Sequence, residues 1–107
     1  MTVLENFTFF KDADATGDSP ALKNIHGEAL VLCVSGTFTG AITISGKQGD
    51  VDTQLTVVDL SDASVKDTIT AAGTYAILCA YGFEEFVATI SALTAGSITV
   101  TGRLCAG

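Results

Sequence analysis

Apolar residues recur at every second position along most of this chain, and that rhythm belongs to half-buried β-strands rather than helices. In residues 41–45, Ile42 and Ile44 alternate with Thr43 and Ser45. In 74–81, Tyr75, Ile77, Cys79 and Tyr81 fall on one face. In 85–92, Phe86, Ala88, Ile90 and Ala92 share a face, with Glu85, Thr89 and Ser91 opposite. In 97–105, Ile98, Val100 and Leu104 alternate with Thr99, Thr101 and Arg103. Threonine sits inside these runs, and its branched Cβ favours a pleated strand over a helix.

Turn residues break the rhythm about every ten residues, as in an antiparallel sandwich or barrel. They include 16–20 (Thr-Gly-Asp-Ser-Pro), His26-Gly27, Ser35-Gly36, Thr39-Gly40, 46–50, Ala72-Gly73, Tyr81-Gly82 and Ala95-Gly96. The pattern predicts eight or nine strands, near 3–10, 21–25, 29–35, 40–48, 53–59, 64–70, 73–81, 85–92 and 96–105. Residues 29–34 form the richest apolar run and read as a buried strand. No amphipathic helix is available for the crossovers that parallel strands need. Only 62–71 is ambiguous, since Val65 and Ile69 would suit one helical turn. The expected fold is an all-β antiparallel sandwich, Ig-like or jelly-roll, in one domain spanning 1–107. Residues 1–20 supply an N-terminal strand or docking arm and an acidic loop. Val3, Leu4, Phe7, Phe9 and Phe10 make that terminus apolar enough for either role. The lone proline, Pro20, falls in the first loop, which leaves few guards on the edge strands and hints at pairing between copies.

Composition narrows the partners. Twelve Asp and Glu against five Lys and Arg give a net charge of −7. Binding to nucleic acid or an anionic membrane calls for a basic face, so neither is an expected partner. The 48% hydrophobic and 16% charged residues exclude intrinsic disorder. The N-terminus lacks the basic start and apolar stretch of a signal peptide. Cys33, Cys79 and Cys105 have no CxxC spacing. That argues against a zinc site or a disulfide scaffold and favours three apolar fillers in a reducing cytosol. A Cys33–Cys79 bridge, with Cys105 spare, is the alternative.

The best site candidate is the run Asp12, Asp14, Thr16, Gly17 and Asp18. Oxygen donors at the first, third and fifth positions followed by glycine match the start of a calcium loop. The twelfth position, where a bidentate Glu belongs, is Lys23. The alternative is a solvated turn whose carboxylates bond their own backbone. Asp50 and Asp52, and Asp59 and Asp62, are further acidic turns. Paired carboxylates can hydrolyse glycosides across a cleft, but nothing in the sequence sets these pairs across one. Glu84 and Glu85 adjoin Phe83 and Phe86. His26, the only histidine, lies in a turn without a flanking nucleophile motif. There is no phosphate-cradling glycine motif and no Trp, and no exposed aromatic platform for sugars is evident. Neither catalytic residues nor a cofactor is expected.

The run 30–44, with Ser35-Gly36-Thr37-Phe38-Thr39-Gly40 at its centre, resembles a strand–turn–strand unit of small virion β-sandwiches. Residues 73–77, 86–91 and 95–102 resemble the remainder. Together, over about 21–103, the chain resembles the small β-sandwich virion proteins of tailed bacteriophages and prophages. It departs from them at Gly46-Lys47-Gln48, where an acidic residue and a Trp are usual, and at Phe86-Val87-Ala88, where an Arg is usual. The resemblance implies a non-enzymatic structural protein of the head, neck or tail, such as a capsid decoration or head fibre. Its implied partners are copies of itself, as a trimer by analogy, and other virion proteins. The implied location is the virion, after assembly in the host cytoplasm. The competing expectation is a small ligand-binding module, with calcium-supported carbohydrate recognition at 12–18 and 50–52.

Overall fold

The computed structural model describes residues 2–106, and the end residues of the expected 1–107 domain lie outside them. Eleven strands form: β1 (Thr2–Ala13), β2 (Gly17–Asp18), β3 (Leu22–Lys23), β4 (Ala29–Ser35), β5 (Phe38–Gln48), β6 (Val51–Leu55), β7 (Val57–Asp59), β8 (Val65–Lys66), β9 (Gly73–Ile77), β10 (Glu85–Gly96) and β11 (Ile98–Ala106). One 3-10 turn, Ala80–Gly82, precedes β10.

All pairings are antiparallel, and they split into two sheets. The first runs β1-β11-β4-β9-β7-β8; the second runs β2-β10-β5-β6, with β3 also on β10. The pairs are nested like the rungs of one long hairpin: β1 with β11, β2 and β3 with β10, β4 with β9, β5 with β6. Rolling that hairpin up sets β1-β11-β4-β9 against β2/β3-β10-β5-β6, which is jelly-roll order. The Ig-like option is thereby removed.

The alternation places the core. Ile42, Ile44, Phe86, Ala88, Ile90, Ile98, Val100 and Leu104 are all buried between the sheets, as the period of two predicts. Each large apolar side chain buried there contributes about 1.5–3 kcal/mol. Gly102 occupies an inward position of β11, and a Cβ there would lie 2.7 Å from the Phe9 ring. Its missing side chain lets Phe9 of β1 reach the core. Within β1, Phe9 is thus a core residue, while residues 2–6 pair with β11 and remain exposed.

Several expectations need correction. The predicted strand at 53–59 is two strands in different sheets, because the chain crosses between sheets at Thr56. Gly17–Asp18 adds a strand within the acidic loop, so nine becomes eleven. The run 29–34 is not wholly buried: Leu30, Leu32 and Val34 face inward, while Cys33 faces water. The helical turn allowed at 62–71 does not form. Ile69 instead pairs with Ile42, on the edge of β5 that β6 has left. Strand β9 ends at Ile77, so Cys79 and Tyr81 leave the shared face and are exposed. A bulge between Ile90 and Ala92 turns Ala92 outward and Leu93 toward the core. Pro20 interrupts the β2/β3 edge of the second sheet and so does guard it. Across that break the Ser19 hydroxyl stands in for a backbone acceptor and takes the Ala88 N–H at 2.9 Å.

Candidate functional site

The chain ends meet in the Thr2–Ala106 pair, which marks one end of the sandwich. Three loops close that end: 24–28 after β3, 49–50 after β5, and 78–84 after β9. Asn24 joins two of them. Its Oδ1 accepts the Gly27 N–H at 2.8 Å, and its Nδ2 donates to the carbonyls of Ala80 at 2.7 Å and Phe83 at 2.9 Å. Gln48 Nε2 donates to the Gly82 carbonyl at 2.9 Å, and Glu84 Oε1 accepts the Gly49 N–H at 3.3 Å, which adds the third loop. Phe83 anchors the assembly from below: a Cβ on Gly46 would come within 2.6 Å of its ring, and Phe86 packs beside it. The 24–28 and 78–84 loops line an open cleft of about 490 Å³, with Asn24, His26, Gly27, Glu28, Tyr81, Gly82, Phe83 and Glu84 on its walls.

His26 is held there with φ at 64°, a left-handed conformation uncommon for a residue with a side chain. Among the described residues, no Ser, Thr or Cys shares the cleft lining with it. Tyr81 is 73% exposed. Its hydroxyl makes no hydrogen bond among the described residues, which leaves the ring open on the cleft wall. The sequence reading missed both Asn24 and this platform. The Asn-x-x-Gly spacing signals a side-chain-stapled turn. Tyr81 was misread as the last member of a strand face, although the adjoining Gly82 signals a turn.

The other candidates lie elsewhere. Asp12 is the next-to-last residue of β1; its backbone N–H donates to Thr99 Oγ1 at 2.9 Å and its Oδ1 accepts that hydroxyl at 3.4 Å, in the first sheet. Asp18 Oδ1 accepts the Thr89 hydroxyl at 2.7 Å in the second sheet. Asp14 and Thr16 lie exposed on the crossing between them. The loop thus spans the two sheets and sends its outer carboxylates to different ones. Among the described residues, no group of three or more His, Cys, Asp or Glu is placed to hold a metal. Asp50 and Asp52 flank the β5–β6 turn, whereas Asp59 and Asp62 lie at the opposite end beyond β7. The two acidic pairs therefore do not face each other. Asp62 Oδ1 accepts the Ser64 hydroxyl and N–H at 2.7 and 2.9 Å, and these bonds hold its carboxyl below the usual range. Glu85 aligns between Lys23 and Lys47 on the flanking strands.

Cys33 and Cys79 are exposed free thiols, and only Cys105 is a buried filler. Cys33 aligns with Thr74, five residues short of Cys79. The strand from Thr74 to Ile77 alone, at about 3.4 Å per residue, spans roughly 10 Å and carries Cys79 past the reach of a disulfide to Cys33. A second recess of about 280 Å³ lies on the first sheet, lined by Asn6, Phe7, Thr8, Val31, Cys33 and Arg103 among others, where Arg103 Nε donates to Asn6 Oδ1 at 3.0 Å.

No protein-family model matches the chain. No curated protein matches it in sequence. Its fold is shared with solved structures. The SPBc2 prophage-derived protein YomS superposes with a TM-score of 0.84 at 20% identity, covering 94% of this chain and 90% of that one. The PBSX exported protein XepA superposes with a TM-score of 0.87 at 22% identity, covering 94% of this chain but 37% of that one. The chain thus spans little more than a third of XepA. The likeness is one of fold, and it includes a prophage-derived protein of nearly the same extent.

Proposed function

We propose that the protein is a non-enzymatic structural component of a phage particle, which associates with copies of itself and docks on another virion protein. Capsid decoration, head fibre and tail or neck component are the roles this covers, with a trimer as the working assembly. Jelly rolls serve as viral capsid domains, and this one superposes on a prophage-derived protein. Fold alone does not assign a role. The observation that carries the reading lies on β1, the long open edge of the first sheet. A register shift between Val3 and Glu5 bulges the strand and leaves Val3 and Leu4 side by side in solvent, 46% and 41% exposed. Adjacent exposed apolar side chains on an open edge favour contact with another protein surface. Repetition on a symmetric particle multiplies weak contacts of this kind.

Light scattering tests the self-association. The wild-type chain is expected to form a discrete oligomer, and Leu4→Asp is expected to dissociate it to folded monomer. A monomer at every concentration, or an oligomer indifferent to Leu4→Asp, contradicts the reading.

A further inference from the structure

We propose that the cleft at the terminal end is a binding site for a neutral saccharide, with Tyr81 as its stacking platform. This goes beyond the structural role and stands without it. The volume of about 490 Å³ suits a small ring system. Glu28 and Glu84 are the charged side chains of the lining, and no Lys or Arg joins them, so phosphates and other anions are repelled. No metal-holding group is present among the described residues. The open, half-polar lining gives an apolar ligand little to bury.

A sugar ring matches what remains. Its C–H face lies on an aromatic ring, and Tyr81 offers one at low ordering cost. Its hydroxyls donate to carboxylates, and Glu84 spends one oxygen on the Gly49 N–H while a carboxylate has about four acceptor sites. The His26 imidazole adds a donor and an acceptor. The walls are already in place, because the Asn24, Gln48 and Glu84 hydrogen bonds tie the three loops together without a ligand. Prior order of this kind lowers the cost of binding.

The test is an array of neutral and amino-sugar oligosaccharides, followed by isothermal titration calorimetry of any hit, which reads the wild-type chain and the Tyr81 variants alike. The expected result is binding of a neutral oligosaccharide that Tyr81→Ala weakens by about tenfold or more, while Tyr81→Phe retains it. Glu84→Gln should weaken it as well. A melting curve unchanged by Tyr81→Ala shows that the fold is intact. Three results overturn the proposal: no neutral oligosaccharide bound, binding indifferent to Tyr81→Ala, or affinity only for tetramethylammonium, which would mark a cation site. Absence of the protein from phage particles would defeat the structural reading and leave this one untouched.

Discussion

At the scale of single residues, two groups make the packing measurable. Tyr75 is buried at 2% exposure, and its hydroxyl donates to the Ala71 carbonyl at 2.8 Å. Burial, with Asp59 and then Asp62 nearby, raises its pKa above 10.0. The folded state therefore holds the phenol proton more tightly than the unfolded chain does. That stabilisation is complete below pH 10 and is lost as pH rises through the folded pKa. In Tyr81→Phe, tyrosinate absorbance should appear above the ordinary range and coincide with a fall in melting temperature; ionisation at or below pH 10 in the folded protein contradicts the burial. The cysteines give a second check. A thiol reagent should modify Cys33 and Cys79 quickly in the native protein and Cys105 only on unfolding, and a single fast thiol would contradict their placement. Alternation alone misjudged these cysteines, because it assigns a face without saying which faces another sheet.

At the scale of elements, the long strands were legible, and the short β3 and β8 fall inside the expected 21–25 and 64–70, but β2 and the separation of β7 from β6 were not. The runs of β4, β5, β10 and β11 carry their own alternation, so their inward residues could be read directly. Strands β2 and β7 have two and three residues, too few to show a period. Their existence depends on the neighbour they meet. Sheet crossings were hidden for the same reason: nothing local at Thr56 reports that the partner changes. The crossing between β10 and β11 does leave a mark, in Gly96. Its φ is 86°, and a Cβ there would collide with the Thr37 carbonyl of the neighbouring crossing. Gly96→Ala should cost about 2 kcal/mol or more, read as a shift of the urea midpoint. A shift within error would mean that the two crossings are not packed as described. Strand β1 is tested by removal. Deleting residues 1–10 takes Phe9 from the core and the partner from β11, so an unfolded product is expected. A folded, cooperative product by circular dichroism and thermal melting would make β1 an arm after all.

At the scale of the whole molecule, the class of fold followed from the period, whereas the choice of jelly roll over Ig-like order followed only from the pairing. Nested pairs such as β1 with β11 join residues about a hundred positions apart, and no local pattern encodes them. The candidate site shows the same limit. Asn24, Gln48, Tyr81 and Glu84 come from two loops and the end of β5, and only the rolled topology brings them together. The acidic run at 12–18 is contiguous in sequence, and only the fold reveals that the Asp12 and Asp18 carboxylates bond to different sheets. What the molecule offers is an edge with exposed apolar side chains and an open cleft, surfaces suited to contact with a partner. The most direct test of that account is quantitative mass spectrometry of density-purified particles released by cells that carry the gene. The account predicts that the chain co-sediments with the major capsid protein at many copies per particle. Its recovery only as free protein, away from the particle band, would contradict it.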